Sequence, residues 1–259
     1  MPRIEASVTL KPEDRRADMV AWIARAGELS VETLSAHYNV SLETVRRDLT
    51  RLSDAGRVRK VHGGARRPQL HTEPSFSERI DEDAGEKQIL GQKLRDQLGP
   101  GDTLFIDTGT TTLFACEGLT EIDDLTVVTN SLLIAQKLGA TGKQTVYLLG
   151  GQYGAVNKQT LGVMVIDQIN CFQTDHAVMT LSGIDAEAGV TYSDIGEAEI
   201  ARAMIARTGN VIFLAHSSKF ARRAAFRTCG LEAIDTLLSA TPPPPTLADA
   251  LSAAKVRVL

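Results

Sequence analysis

Apolar residues recur every three or four positions in the first part of the chain. They stand at Met19 and Ile23 in one segment and around Leu34 in the next, the spacing expected for the buried face of an amphipathic helix. The pattern predicts two helices, over 15–26 and 31–37.

A third helix is predicted after a three-residue turn, beginning at the N-cap residue Ser41 and ending at Gly56. Its apolar stripe, at about 100° per residue, consists of Leu42, Val45, Leu49 and Leu52. The opposite face consists of Glu43, Thr44, Arg47 and Arg51. Two helices joined by so short a turn, the second carrying arginines, are typical of a helix-turn-helix, whose second helix enters the major groove of DNA.

A basic segment after the third helix strengthens this interpretation. Residues 41–67 contain eight basic and three acidic residues, and Val58 and Val61 alternate with basic side chains before Gly63-Gly64. This pattern predicts a hairpin wing. A charged, solvated helix on a small bundle is the alternative for the helix alone, and the basic wing makes this alternative less favoured. Arginine suits DNA because its planar fork can bond guanine or phosphate through two hydrogen bonds.

The remainder of the chain alternates apolar runs with helical patterns. Buried strands are predicted at 103–106, 125–128, 145–149, 177–181 and 211–215. Helices are predicted at 86–98, with Ile89 facing inward, and at 111–119, 131–138, 163–169, 198–206 and 247–254. Further strands are predicted at 233–238 and 255–259. Such alternation is typical of βαβ units and a mainly parallel sheet. We therefore predict an α/β fold with a winged helix-turn-helix domain over 1–67, a linker over 68–83 and a second, α/β domain over 84–259.

Small hydroxyl residues and glycines follow each predicted strand. The loops are Asp107-Thr108-Gly109-Thr110-Thr111, Asn130-Ser131, Gly150-Gly151, Ser182-Gly183 and His216-Ser217-Ser218-Lys219. In a parallel sheet these loops share the carboxyl edge, where ligands bind, and helix N-termini there can hold an anion. A single loop of this kind is more often only a tight turn that caps a helix. A single lysine such as Lys219 is more often a solvated surface residue. Five loops together favour a crevice for a small phosphorylated molecule, with Lys219 neutralising its charge.

The distribution of charge and the spacing of the cysteines limit the kinds of partner and the cellular location that the sequence allows. The net charge is −4, but residues 1–70 hold 13 Lys/Arg against 9 Asp/Glu (+4), whereas 71–259 hold 15 against 23 (−8). This division removes the objection that a negative chain raises against DNA binding. The three cysteines are too far apart for a zinc motif or a disulfide framework. With no signal-peptide pattern and no apolar run near the roughly 20 residues of a membrane span, we expect a cytoplasmic protein without membrane association, metal or cofactor.

The segment VSLETVRRDLTRL followed by GRVRKVHGGA resembles the signature of the DeoR family of bacterial transcriptional regulators. The resemblance covers about 15–65 and rests on the RRDL run at 46–49 and the HGGA ending at 62–65. It implies a winged helix-turn-helix that binds double-stranded operator DNA. The residues expected at the DNA are Ser41, Thr44, Arg46, Arg47, Arg51, Lys60, His62 and Arg66.

Landmarks of the same family continue in the second domain as FIDTGTTT, VVTNS, LLGG, LSGID, GVT and SSKF. The family's sensor domain is similar in fold to ribose-5-phosphate isomerase and the CoA transferases, and it binds phosphorylated sugars or related metabolites. The resemblance implies ligand contacts from Asp107, Thr108, Gly109, Thr110, Thr111, Asn130, Ser131, Gly150 and Gly151, with Lys219 at the phosphate. The family usually has an aspartate where this chain has His216, which is either a ligand contact or a neutral histidine satisfied at the sheet edge.

The tail from His216 onward is similar to that of glycerol-3-phosphate regulon repressors within the family. Glycerol 3-phosphate is therefore the first effector expected, and a sugar phosphate the next, for a repressor of a carbohydrate or polyol catabolic operon. A homo-oligomer, dimer or tetramer, is expected because operators are usually symmetric. Glu197 and Glu199 are interpreted as favourable charges in the first turn of a helix, and a ligand role is the less favoured alternative.

Two alternatives stay open from the sequence. One is a sugar-phosphate isomerase-like enzyme with an appended helix-turn-helix, in which Asp107 is the candidate base, although no acid–base pair is evident around the loops. The other is an architectural DNA-binding protein with a vestigial sensor domain, on which no ligand would have any effect.

Overall fold

The computed structural model of the protein describes residues 10–54, 57–67, 70 and 73–259. The chain divides into two compact units, Met1–Gln69 and Leu70–Leu259. Gly56, predicted to end the third helix, lies outside the described residues, as do four positions of the predicted linker (68, 69, 71 and 72).

Three helices and a three-stranded antiparallel sheet form the first unit. In chain order they are α1 (Pro12–Ala26), β1 (Glu28–Ser30), α2 (Val31–Tyr38), α3 (Leu42–Asp54), β2 (Arg59–Val61) and β3 (Gly64–Arg66). The hairpin of β2 and β3 is the predicted wing, and β3 also pairs with β1. A Cβ atom at Gly64 would lie 2.3 Å from the Leu29 carbonyl oxygen, so only glycine permits this pairing.

The core of the first unit confirms most of the predicted helix faces. Met19, Ile23, Leu34, Val45 and Leu49 are buried in one cluster. The prediction for Leu42 was wrong, because this side chain is 39% exposed. As the first residue of α3, it has no preceding turn of helix against which to pack.

The second unit is an α/β domain built on a seven-stranded sheet. Its helices are α4 (Phe76–Asp81), α5 (Ala84–Arg95), α6 (Thr110–Leu119), α7 (Leu132–Gly139), α8 (Val163–Ile169), α9 (Ile195–Ile205) and α10 (Pro245–Ala253). Its strands are β4 (Thr103–Ile106), β5 (Thr126–Thr129), β6 (Thr145–Leu148), β7 (Gln152–Gly154), β8 (Gln159–Leu161), β9 (Thr174–Met179), β10 (Gly183–Asp185), β11 (Gly189–Tyr192), β12 (Thr208–Ala215), β13 (Phe226–Cys229), β14 (Thr236–Ser239) and β15 (Arg257–Val258).

The large sheet is parallel throughout, in the order β15-β14-β12-β9-β4-β5-β6. Successive residues of its strands point to opposite faces and belong to two hydrophobic cores. Phe105 of β4 packs in the core that contains α8, α9 and α10, whereas Leu104 and Ile106 pack in the core that contains α5, α6 and α7. The sheet therefore lies between two helical layers. Because every strand runs the same way, the loops that follow the strands meet at one edge, as the sequence predicts.

Two small antiparallel groups of strands were not predicted. They are the β7–β8 hairpin and the sheet of β10, β11 and β13. Each of these strands has only three or four residues, too few for an alternating pattern to be distinct.

Corrections also apply to the segment before the sheet. Residues 76–81, expected in a linker, form α4 with a buried Phe76. Ile89, expected to face inward on α5, is 42% exposed. The buried face of α5 instead carries Lys87, Leu90, Gly91 and Leu94, because Gly91 allows a close approach to α6, where an added Cβ would lie 3.2 Å from the Ala115 Cα atom.

Candidate functional site

Helix α3, the second helix of the predicted helix-turn-helix, presents a basic face. Ser41 Oγ accepts a hydrogen bond from the Thr44 N–H (3.1 Å), as an N-cap does. Arg46, Arg47 and Arg51 are exposed on the helix. The geometry leaves these guanidinium groups available to an external acceptor such as a DNA base or phosphate.

Asp48, next to these arginines, faces the interior. Its Oδ2 accepts from Arg15 Nε of α1 (2.8 Å), and Oδ1 lies 3.4 Å from Arg16 NH1. Both Asp48 and Arg15 are buried. The pair fixes α3 against α1 and therefore holds the basic face in position.

The wing is tied to the same helix. Lys60 Nζ donates to Thr50 Oγ1 (3.1 Å), and this hydroxyl donates to the Arg46 carbonyl (2.9 Å). The predicted DNA residues that are exposed are Ser41, Arg46, Arg47, Arg51, Lys60 and His62, while Thr44 and Arg66 are half-buried. The exposed members thus lie on one helix and the hairpin attached to it.

The second unit has an open cavity of about 250 Å³, counting the part open to solvent, at the carboxyl edge of the sheet. It is lined by Glu73, Arg79, Thr108, Asn157, Thr180, Leu181, Ser182, Tyr192 and Glu197. Hydroxyl, amide and charged groups dominate this lining, which suits a small polar ligand.

The first predicted ligand loop contributes one wall. Thr108 lines the cavity, and its Oγ1 donates to Asn130 Oδ1 (3.1 Å). The next residue, Gly109, packs against Thr180: a Cβ atom added at Gly109 would lie 2.3 Å from Thr180 Cγ2. Thr110 and Thr111 are buried in the first turn of α6. The N-cap residue of α6, Gly109, has no side chain that could accept a hydrogen bond from the first N–H groups of the helix.

Asp107 supports the cavity from below. Its Oδ1 accepts from the Thr180 N–H (3.0 Å), and its Oδ2 lies 3.0 Å from the Tyr192 hydroxyl. Burial raises the pKa of Asp107 well above its usual range, although both hydrogen bonds oppose the shift. The Tyr192 hydroxyl has one proton and two acceptors within reach, Asp107 Oδ2 and the Thr180 carbonyl. Asp107 thereby positions Thr180 and Tyr192, both of which line the cavity.

The second and third predicted loops have mainly structural contacts. Asn130 is buried and donates to the Thr160 carbonyl (3.0 Å), while Ser131 caps α7. Gly150 exchanges hydrogen bonds with the Gln168 side chain. Gly151 sits so close to the Leu161 carbonyl that an added Cβ would be 2.6 Å from its oxygen. The described lining of the cavity includes none of these four loop residues.

Glu197, interpreted from the sequence as a helix charge, lines the cavity. Its Oε1 accepts from Asn157 Nδ2 (2.6 Å) and Gln159 Nε2 (2.5 Å). Burial raises the pKa of Glu197, and these two hydrogen bonds reduce the effect. The side chain therefore offers a polar, weakly acidic group to a ligand.

Lys219 is buried rather than solvated, with a side chain that is 5% exposed. Its Nζ lies 3.1 Å from Glu73 Oε1, and Arg79 NH1 lies 3.5 Å from Glu73 Oε2. Sequence reasoning missed Glu73 and Arg79 because both lie in the segment expected to be a linker. A signal was present, since Ser75 and Glu78 have the spacing of a capping box and form one.

His216 is satisfied within the fold. It is buried, and its Nδ1 lies 2.8 Å from Asp83 Oδ2 and 3.0 Å from Ser218 Oγ. Burial, together with the positive charge of Lys219, lowers the pKa of His216 to about 4. This arrangement matches the interpretation of His216 as a neutral histidine at the sheet edge.

The low pKa of His216 predicts a pH-dependent stability. In the unfolded chain a histidine titrates near 6.5, so between about pH 6.5 and pH 4 the unfolded state binds a proton that the folded state does not. The second unit should lose up to roughly 3 kcal/mol of stability over this interval as the pH falls. Urea denaturation from pH 7 to pH 4 measures it. His216→Asn should make the free energy of unfolding depend less on pH, whereas His62→Asn in the first unit should not. Equal pH dependence in the wild-type protein and both variants would contradict the prediction.

No helix in the described part of the chain is long and apolar enough to cross a membrane. Within residues 10–54, 57–67, 70 and 73–259, no group of three or more His, Cys, Asp or Glu side chains could hold a metal ion.

Family models match both units. Residues 15–70 match the DeoR-like helix-turn-helix domain, and residues 82–240 match the DeoR C terminal sensor domain.

Relatives over nearly the whole chain are repressors by name. The chain is 29% identical to the glycerol-3-phosphate regulon repressor of Escherichia coli (strain K12), over 94% of this chain and 96% of that protein. It is 28% identical to the HTH-type transcriptional repressor GlcR of Bacillus subtilis (strain 168), over 95% of each chain. Among solved structures, the probable sor operon regulator from Shigella flexneri is similar with a TM-score of 0.43 and 14% identity, over 67% of this chain and 90% of that chain.

Proposed function

The chain belongs to the DeoR family of transcriptional regulators, and on this premise we propose that it represses a carbohydrate or polyol catabolic operon in response to a phosphorylated metabolite. Glycerol 3-phosphate is the first candidate effector, and a sugar phosphate the second. A relative over 94% of the chain is a glycerol-3-phosphate regulon repressor, which supports this order. The free thiols of Cys116, Cys171 and Cys229 support a reducing cytoplasmic location.

The DNA half of the proposal rests on the exposed arginines of α3. Arg46, Arg47 and Arg51 project from a helix that the Asp48–Arg15 pair holds in place. In a helix-turn-helix this is the helix that reads base edges, while a wing contacts the backbone. We therefore assign Thr44, Arg46 and Arg47 to the bases, and Ser41, Arg51, Lys60, His62 and Arg66 to phosphates or the wing contact.

The effector half rests on one observation: a polar cavity at the carboxyl edge of the sheet has a buried ammonium and a half-buried guanidinium beside it. Arg79 lines the cavity, and Lys219 contacts Glu73 in the same lining. A guanidinium and an ammonium together are a common arrangement for binding phosphate. Thr108, Ser182 and Tyr192 supply hydroxyl groups that suit the hydroxyls of a polyol.

An isomerase-like activity has less support. A general base must be able to reach a substrate proton, but Asp107 is buried and both of its oxygens are engaged by Thr180 and Tyr192. Burial also favours its protonated form, which is the wrong form for a base. Turnover of an aldose phosphate by the purified protein would revive this alternative.

The decisive experiment is operator binding by the full-length protein at fixed salt, using DNA from upstream of its own gene. Glycerol 3-phosphate and a panel of sugar phosphates are titrated, with glycerol as the uncharged control. We expect one phosphorylated compound to change operator affinity at least about tenfold, a typical allosteric coupling. Lys219→Gln should still bind DNA but respond to no compound. Tight DNA binding that no compound changes would contradict the effector half, and would favour the architectural alternative.

We further propose that the protein forms a homo-oligomer through the β6 edge of the sheet. Tyr147 and Leu148 on this edge strand and Val163 and Met164 on α8 are exposed apolar side chains. Gln168 of α8 is hydrogen-bonded to the loop that follows β6, so the two groups are neighbours. Val163→Asp should lower the mass measured by analytical ultracentrifugation, whereas Lys255→Asp on the far side of the sheet should not. An unchanged mass for Val163→Asp would exclude this surface.

A further inference from the structure

The carboxylate of Glu73 lies between a buried cation, Lys219, and a half-buried one, Arg79, where an anion would bind. Glu73 Oε1 lies 3.1 Å from Lys219 Nζ, and Oε2 lies 3.5 Å from Arg79 NH1. The side chains of Glu73, Arg79 and Lys219 are 12%, 11% and 5% exposed. Each carboxylate oxygen therefore has its own cation, as two oxygens of a bound phosphate would have.

The electrostatics of the cluster favour an anion with more charge than a carboxylate. Burial by itself would raise the pKa of Glu73, yet Lys219, Arg79 and the more distant Arg222 hold it below its usual range. Glu73 is therefore ionised, but one negative charge faces two contacting cations. A phosphate monoester carries about −1.5 to −2 charges near pH 7 and would balance the pair more completely.

Arg79 is oriented independently of Glu73. Its NH2 group donates to Asn157 Oδ1 (2.8 Å), and its Nε donates to the Pro74 carbonyl (3.1 Å). These bonds leave NH1 directed at the Glu73 carboxylate. The guanidinium would thus remain in place for another anion if Glu73 moved away.

We propose that Glu73 is an internal substitute for the effector's phosphate: it holds the Lys219–Arg79 site in the free protein, and a phosphate monoester displaces it. This inference rests on the proposed function, since it takes the cavity to be the effector site. It assigns Arg79 and Lys219 jointly to the phosphate group. Because the effector must displace Glu73, this residue also lowers the affinity of the protein for the effector.

Displacement of Glu73 has a consequence for the chain that precedes it. The segment before α4 is held on the second unit by two described contacts: the Leu70 carbonyl accepts from the Ala225 N–H (3.0 Å), and Glu73 binds the two cations. Loss of the Glu73 contacts leaves the Leu70–Ala225 hydrogen bond in place, so it weakens the attachment of the chain that leads to the unit ending at Gln69. Through this weakened attachment, effector binding is coupled to the DNA-binding unit.

Calorimetric titration of the full-length protein tests the proposal, with inorganic phosphate and glycerol 3-phosphate as probes and glycerol as the neutral control. Glu73→Gln removes the competing charge, so we expect both anions to bind about 10- to 100-fold more tightly, the contribution of a hydrogen bond to a charged group. Asp81→Asn removes an equal charge from an exposed position of α4 and should leave both affinities unchanged. Equal or weaker anion binding by Glu73→Gln would overturn the proposal.

A second measurement covers the case in which Glu73→Gln is unstable because it leaves two cations without a carboxylate. Phosphate should then raise the Tm of Glu73→Gln more than that of the wild-type protein, relative to chloride at equal ionic strength, because ligand binding stabilises the folded state. Equal increments in the two proteins would overturn the proposal.

Failure of the proposed function has a different signature. If phosphate binds Glu73→Gln more tightly but no phosphorylated compound alters operator affinity, displacement holds and the effector role is wrong. If a compound alters operator affinity but binds wild type and Glu73→Gln equally, the effector role holds and displacement is wrong.

Discussion

Replacing Asp48 with alanine should lower the free energy of unfolding of the first unit by about 3–5 kcal/mol, the usual cost of removing one partner from a buried ion pair. The Arg15 guanidinium, with a side chain that is 10% exposed, would be left without its carboxylate. A unit of this size has only about 3–10 kcal/mol of stability, so a loss of this size should raise the unfolded fraction near 37 °C and weaken operator binding.

The protein's single tryptophan makes this measurement specific. Trp22 lies in α1, and its ring is 4.3 Å from the His37 ring and 6.2 Å from the Tyr38 ring, centroid to centroid. Its fluorescence during urea denaturation therefore reports on the first unit. The control variant Glu43→Ala removes an exposed carboxylate from α3, the helix that carries Asp48. It should lower the free energy of unfolding by at most about 1 kcal/mol.

The double variant Arg15→Met/Asp48→Leu extends the test of the buried pair. It should recover much of the lost stability, because apolar residues of similar size often replace a buried pair without loss. A cost below about 1 kcal/mol for Asp48→Ala would show that the pair does not hold α3 against α1.

Replacing Arg47 with alanine should reduce operator affinity by roughly 10- to 100-fold, the loss expected for one bidentate contact to a base. Arg47 is exposed and lies opposite the buried Val45–Leu49 stripe. The stability of the first unit should stay within about 0.5 kcal/mol of wild type. Fluorescence anisotropy on operator and scrambled DNA at one salt concentration measures the effect, and specific binding should fall more than non-specific binding.

Arg25→Ala is the matched control, because Arg25 is an exposed arginine in the last turn of α1. It should alter operator affinity much less. Unchanged operator affinity in Arg47→Ala would show that the DNA-reading face is elsewhere. Together the neighbouring residues separate two causes: Asp48→Ala weakens binding through unfolding, and Arg47→Ala weakens it with the fold intact.

Local periodicity was sufficient where an element is long or continuously apolar. The predicted helix over 163–169 is α8, and the predicted strand over 103–106 is β4. Both signals come from residues adjacent in sequence. The sheet of β10, β11 and β13 depends instead on contacts such as Val190 with Cys229, nearly forty residues apart, and its short strands carry no pattern of their own.

The candidate site was predicted in part for the same reason. The sequence directs the strand-following loops to one edge, since parallel strands must end there, and Thr108 indeed lines the cavity. Gly150 and Gly151 follow a strand equally well, yet their contacts are with Gln168, Leu161 and Val165. Which loop residues border the cavity depends on side-chain packing between strands, which no single loop encodes.

The sequence by itself determined the two-unit organisation, the arginine-bearing helix with its wing and the parallel sheet, because each follows from local periodicity, turn residues and charge. Only the tertiary structure decided the roles of individual charges. It buries Asp48 while its neighbour Arg47 stays exposed, and it brings Glu73 from a presumed linker to Lys219, 146 positions away. Such pairs form because a buried charge needs a partner, and the fold chooses that partner by distance in space.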